Sequence, residues 1–291
     1  MPSPARALLS FLLRTALFSY LGACCPPQLG RLSPYTPDEV DTHLEDVREK
    51  AIGGFAVLYV APFAIAGQGR RDSIEEIARQ VVGISAAFLK KEYFPRDPKD
   101  MVTLWMFEGE TSYRSHINRL FGGVPPSPYG YYDRCNDIVA ADISLGLGTL
   151  IHEMVHAFME ANFPDCPAWF NEGLASLYEH TETEDGRVRG LVNWRLPPLQ
   201  ASIQRKKLPS LDDLLATSSG EFYGDRRGTY YAMARYLMYY LQEKKLLSNY
   251  YHRFLETHSE DPTGKTALLE VLRIENLDAF QRQWEAYVGA L

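Results

Sequence analysis

At 291 residues the chain is long enough for one large domain or two closely packed lobes, and 46% hydrophobic with 23% charged residues is ordinary for a globular protein. That balance excludes a fibre and an intrinsically disordered chain. The net charge of −7 comes with no basic cluster beyond Lys206-Lys207 and Arg226-Arg227, which argues against nucleic acid as a partner.

The N-terminus differs from the rest. Arg6 and Arg14 precede the apolar run Thr15 to Leu21, and Leu21-Gly22-Ala23 leads into Cys24. This resembles a bacterial lipoprotein signal, residues 1–23, in which Cys24 becomes the lipidated first residue. The run is far shorter than the roughly 20 residues of a spanning helix. The pattern predicts export to the bacterial periplasm or cell envelope, with membrane attachment through Cys24. An ordinary signal peptide is one alternative, and an N-terminal amphipathic helix on a cytoplasmic protein is the other.

Residues 24–37 form a Pro-rich spacer. Asp38 to Lys50 reads as a helix with Val40, Leu44 and Val47 on one side, and Phe55 to Val60 as a strand after the Gly53-Gly54 turn. Ser73 to Tyr93 is a long amphipathic helix, Met101 to Phe107 a strand, and Ser112 to Phe121 a helix stopped by Gly122-Gly123. Tyr129 to Tyr132 and Asp137 to Asp142 read as two strands, the second either an edge strand or an interior one. Helices follow at Pro167 to His180, Leu199 to Lys206, Gly228 to Lys245, Ser248 to His258, Thr266 to Ile274 and Leu277 to Val288, with a short strand at Val188 to Trp194. The fold class expected is α+β: an N-terminal lobe, 38–161, with a mixed sheet, then a helical lobe, 162–291, and a cleft where the two join.

Between the two lobes lies Leu150 to Glu160, LIHEMVHAFME, which carries His152, Glu153 and His156. Residues i and i+4 of a helix share one face, so the two imidazoles can converge on one tetrahedral metal ion. The intervening glutamate then sits beside the ion, where a base is needed to take a proton from water. The neighbours are apolar, so the helix is expected to be buried on nearly every side, and buried polar groups require partners. A catalytic zinc takes a third protein ligand. Glu172, 16 positions after His156 and set among Leu174, Ala175 and Leu177, is the acidic candidate.

His152-Glu153-Met154-Val155-His156 followed by Trp169-Phe170-Asn171-Glu172-Gly173-Leu174-Ala175 resembles the gluzincin metallopeptidases, whose second motif reads W-x-x-E-G-x-A. The resemblance covers Tyr129 to Leu241. It implies a zincin-like fold over residues 38–291, Zn2+ held by His152, His156 and Glu172, Glu153 as general base, and a peptide or protein substrate. It also implies a tyrosine that stabilises the tetrahedral transition state. Tyr231, 59 positions after Glu172 in Tyr231-Ala232-Met233-Ala234, resembles that Y-x-x-A segment, with Tyr230 and Tyr223 as competitors. Two departures stand out. The interval between His156 and Glu172 is short for the family, and no G-x-M-E-N segment is present, which leaves exopeptidase specificity unsupported.

Cys135 and Cys166 flank the motif in sequence, so an exported protein could join them in a disulfide, and a reducing compartment would leave two thiols. The function expected is peptide-bond hydrolysis. A catalytically inactive scaffold or binding protein at the cell envelope is the alternative reading, and a hydrolase of non-peptide amides a third.

Overall fold

The computed structural model describes residues 25–51 and 53–291; the expected signal segment and Cys24 lie outside them. The first helix, α1 (Pro37–Lys50), starts at a capping box. The Thr36 hydroxyl accepts from the Glu39 N–H at 3.3 Å and the Glu39 carboxylate accepts from the Thr36 N–H at 2.6 Å, with Pro37 presetting φ in the first turn.

β1 (Phe55–Val60) and β2 (Phe63–Gln68) form an antiparallel pair. β2 was not expected: its Phe-Ala-Ile-Ala-Gly run is buried on both faces, so it lacks the polar–apolar alternation that marks a half-exposed strand. Gly67 within it is a packing requirement, because a Cβ there would lie 2.5 Å from Ile74. The long helix expected next is a rod of three pieces: α2 (Arg71–Ile77), a π-helical segment at Ala78–Gly83, and α3 (Ile84–Glu92). β3 (Thr103–Phe107) leads to α4 (Glu110–Phe121), which ends at Gly122 in the left-handed region, φ 68°.

β4 (Gly130–Asp133) and β5 (Ile138–Asp142) complete a mixed sheet in the order β1-β2-β3-β5-β4, with β2, β3 and β5 parallel. β5 is therefore an interior strand, hydrogen-bonded to β3 on one side and β4 on the other. The possibility that Asp137 to Asp142 forms the sheet edge is overturned, and β4 takes that place. The reason is that the turn at Arg134 to Asp137 folds β4 back along the outside of β5, all five residues of which are buried. Side chains alternate across the sheet: Leu104 and Met106 join the large core with Val139 and Ala141, while Trp105 and Phe107 face Tyr113 and Ile117 of α4.

Cys135, in the β4–β5 turn, is bonded to Cys25 and not to Cys166, which carries a free thiol. The N-terminal spacer runs back over the molecule, with the Gly30 N–H donating to the Ala161 carbonyl at 2.8 Å, and this brings Cys25 to that turn.

The remaining chain is mostly helical, so the protein is a mixed α+β fold. After the 3-10 turn Ile143–Leu145 come α5 (Gly148–Asn162), α6 (Ala168–Leu177) and the hairpin β6 (Thr181–Glu184) with β7 (Arg187–Gly190). The strand expected at Val188 to Trp194 is present only in its first part, as β7, the second arm of that hairpin; Leu191 to Trp194 lie beyond it. α7 (Leu196–Gln204), α8 (Leu211–Leu215), α9 (Ser219–Phe222), α10 (Arg227–Glu243), α11 (Leu247–Thr257), α12 (Lys265–Leu272) and α13 (Leu277–Gly289) follow. One apolar core runs from the sheet through α5, α6 and α10 to α13. α6 and α10 approach closely because Gly173 has no side chain; a Cβ there would lie 3.1 Å from that of Ala234. Among the described residues no helix is long and apolar enough to cross a membrane.

Candidate metal centre

α5 is the buried helix that its apolar composition predicts, packed between β4 and β5 on one side and α6 on the other. Its polar residues are buried with the rest: His152, Glu153 and His156 retain 5%, 1% and 8% of their exposure. One turn of helix separates the two histidines, and their Nε2 atoms stand 3.0 Å apart. The turn from Phe163 to Pro167 then reverses the chain, closed by the Cys166 N–H donating to the Phe163 carbonyl at 3.0 Å. That tight reversal brings α6 back along α5 and makes the short interval sufficient. Glu172 Oε2 lies 3.3 Å from His152 Nε2 and 3.6 Å from His156 Nε2.

Donor atoms of His152, Glu153 and His156 also lie within 4.8 Å of one another, so this buried group could hold a metal ion. Two carboxylates thus compete for the third position. Glu172 fits it better, since one of its oxygens faces both imidazole Nε2 atoms at 3.3 and 3.6 Å, although Glu153 Oε2 is likewise buried without a hydrogen-bond partner among the described residues. Glu172 Oε2, buried, accepts no hydrogen bond among the described residues. An unsatisfied carboxylate oxygen opposite two imidazole nitrogens is the arrangement expected where a cation belongs.

Outer contacts orient these groups. His156 Nδ1 pairs with Asn171 Oδ1 at 2.8 Å, and His152 Nδ1 with Glu179 Oε1 at 3.2 Å. An acceptor on Nδ1 fixes the ring and directs Nε2 to the centre. Glu179 is held in turn by Arg195, whose Nη2 donates to Oε1 at 2.8 Å, and by Asn193 Nδ2, which donates to Oε2 at 3.3 Å. Gly148 makes room for this: a Cβ at the start of α5 would fall 1.9 Å from the Glu179 carbonyl oxygen. Tyr223 Oη donates to Glu172 Oε1 at 2.8 Å.

The charges follow from these contacts. Burial opposes ionisation of His152, but Glu172 and Glu179 outweigh it and hold the imidazole up at about 10, whereas burial keeps His156 below its usual value. Glu172 is also penalised by burial, yet His156, His152 and Tyr223 draw its carboxyl down to about 2. Glu153 goes the other way, to about 8, because burial and the nearby Glu172 charge outweigh the His152 and Tyr132 contacts. In the metal-free protein these contacts favour the charged, imidazolium form of His152.

No protein-family model matches the chain, and no curated protein matches it. The site's chemistry rests on its own residues.

Of the tyrosines, Tyr223 contacts the centre through Glu172, and Tyr231 is near enough for the same carboxylate to shift its phenol. Burial and the Glu172 carboxylate against it raise the Tyr231 phenol, and its ring lies 5.0 Å from that of Phe222 and 5.4 Å from the Arg195 guanidinium. Tyr230 stacks on Phe222 at 6.2 Å. The sequence reading missed Asn171, Glu179 and Arg195, and took Tyr223 only as a competitor for the oxyanion role. Asn171 had a signal, as the neighbour of Glu172 on a helix facing His156. Glu179 and Arg195 had none, because only the tertiary fold brings them under His152.

Proposed function

We propose that the protein is a zinc-dependent peptidase of gluzincin type with a zincin-like fold. The observation that carries this reading is the convergence of His152 Nε2, His156 Nε2 and Glu172 Oε2 within 3.6 Å in the protein interior, with Glu153 alongside. Two nitrogens and one carboxylate oxygen suit zinc and leave a fourth position open. A zinc ion held there would supply Lewis acidity, lowering the pKa of water and polarising a carbonyl. Glu153, ionised beside such a cation, would take the proton of the attacking water and deliver it to the departing amine. The Tyr231 phenol would donate to the oxygen on which negative charge develops. An extended peptide has a place to lie: β4 is an edge strand directly beside α5, and strand addition to such an edge recognises backbone irrespective of sequence.

The Cys25–Cys135 disulfide supports an oxidising compartment, and with it export to the periplasm or cell envelope.

The test uses zinc-loaded wild-type protein and Glu153→Gln on a diverse peptide library read by mass spectrometry. Wild type should cleave amide bonds, and Glu153→Gln should keep its zinc while losing at least about 100-fold in rate, the scale of a missing general base. Bound zinc without hydrolysis in the wild type would favour the envelope scaffold instead.

A further inference from the structure

Two phenols reach the same carboxylate from different elements. Tyr223, just past α9, donates from Oη to Glu172 Oε1 at 2.8 Å, while Tyr231 of α10 lies against the same carboxylate. The other oxygen, Oε2, faces both imidazoles and accepts no hydrogen bond among the described residues. The two oxygens of Glu172 are therefore not equivalent. A carboxylate offers a cation one oxygen or two, and each choice leaves a different number of positions for water and substrate. A phenol donating to one oxygen biases that choice, because bidentate binding must give up the hydrogen bond.

Tyr223 is held for this task. Ser218 and Glu221 form a capping box at the start of α9, with the Glu221 N–H donating to Ser218 Oγ at 3.3 Å and the Ser218 N–H donating to the Glu221 carboxylate at 2.9 Å. The Tyr223 N–H then closes on the Ser219 carbonyl at 3.1 Å. The fully buried Phe222 anchors the segment, with Tyr223 and Tyr231 rings 5.4 Å and 5.0 Å from its own. One buried ring thus fixes both phenols, but only Tyr231 also lies under the Arg195 guanidinium.

We infer that Tyr223 is a positioning residue that occupies Oε1 of Glu172, so that this carboxylate presents Oε2 alone to a cation and Tyr231 remains the phenol available to substrate. The inference rests on the metal reading above, and it divides between two residues what a single tyrosine motif would assign to one.

The experiment compares wild type, Tyr223→Phe and Tyr231→Phe, each stripped of metal and shown by thermal unfolding to be folded. Zinc affinity is read by competition with a chromogenic chelator, and ligand number by the visible spectrum of the cobalt(II)-loaded protein. Tyr223→Phe should bind zinc about 10- to 100-fold more weakly, the usual cost of losing a group that orients a ligand. Its cobalt bands should weaken as Glu172 swings to offer both oxygens. Tyr231→Phe should keep the wild-type affinity and spectrum and lose about 100- to 1,000-fold in kcat, as for a missing oxyanion donor. Unchanged affinity and spectrum in Tyr223→Phe, or the same changes in Tyr231→Phe, would overturn the division while leaving the metal reading intact. A wild type that takes up neither zinc nor cobalt would overturn both.

Discussion

The two sides of α5 are built from different chemistry, although both are buried. Towards the sheet the contacts are mainly shape: Phe158 meets Phe63 at 5.2 Å and stacks on Phe94 at 5.6 Å, and Gly130 of β4 makes room for Thr149. Towards the helices His152 and His156 meet Glu172, Asn171 and Glu179. Packing contacts tolerate neighbours of similar volume, but a buried polar group is costly unless its own partner is in place. The sheet side therefore sets where α5 lies, and the helical side sets what it can bind.

That division can be broken most sharply by removing one large group from each side. Glu172→Ala takes away a ligand oxygen and should lower zinc affinity by more than the roughly 100-fold typical of losing an outer contact. Phe63→Ala empties the sheet face under α5, where the buried Phe63 ring of β2 packs edge-on against Phe158, and should cost about 3–5 kcal/mol of stability. Its zinc affinity should stay at the wild-type level. Denaturant unfolding and chelator competition on both variants check this. If Phe63→Ala weakened zinc as much as Glu172→Ala, the two sides would not be separable.

Glu179 gives a smaller and finer test. It touches His152 at Nδ1 and draws its charge partner, Arg195, from beyond the hairpin. Glu179→Ala should weaken zinc by about 10- to 100-fold through loss of ring orientation, and Glu179→Gln, which retains an acceptor oxygen, by less. Equal losses in the two variants would mean that the charge of Glu179, and not an oxygen placed against Nδ1, is what His152 needs.

The same contrast explains what was legible in the sequence. Motif residues were readable because a helix fixes their relation locally, so that His152 and His156 converge whatever surrounds them. Glu172 was readable as an acidic residue in an apolar helix, which begs for a cation. Most helices fall within a few residues of expectation because their apolar faces repeat with the helical period. β2 escaped, since an interior strand buried on both faces shows no alternation, and α8 and α9 are too short to develop a period. Glu179 and Arg195 escaped for another reason: nothing local distinguishes a carboxylate under a histidine from one in solvent. The disulfide belongs with them, because Cys25 reaches Cys135 only after the spacer has folded back over α5.

The mildest perturbation changes no residue and reads a slope, and it probes the charge on the helical side directly. Without metal, His152 holds its proton up to about 10 and Glu153 up to about 8. A cation at the centre needs the His152 lone pair, so binding must expel that proton, and the affinity rises with pH for as long as the metal-free site still carries it. Between pH 8 and pH 10 about one proton should leave per ion bound, which corresponds to roughly a tenfold gain in affinity per pH unit. Below pH 8 Glu153 is also protonated in the metal-free site, and a neighbouring cation favours its ionised form, so release should exceed one. Above pH 10 the slope should flatten. Calorimetry in buffers of different ionisation enthalpy counts these protons, and Glu153→Gln should bring the release below pH 8 back to one. A pH-independent affinity would mean that the metal-free site holds neither the His152 nor the Glu153 proton in this range.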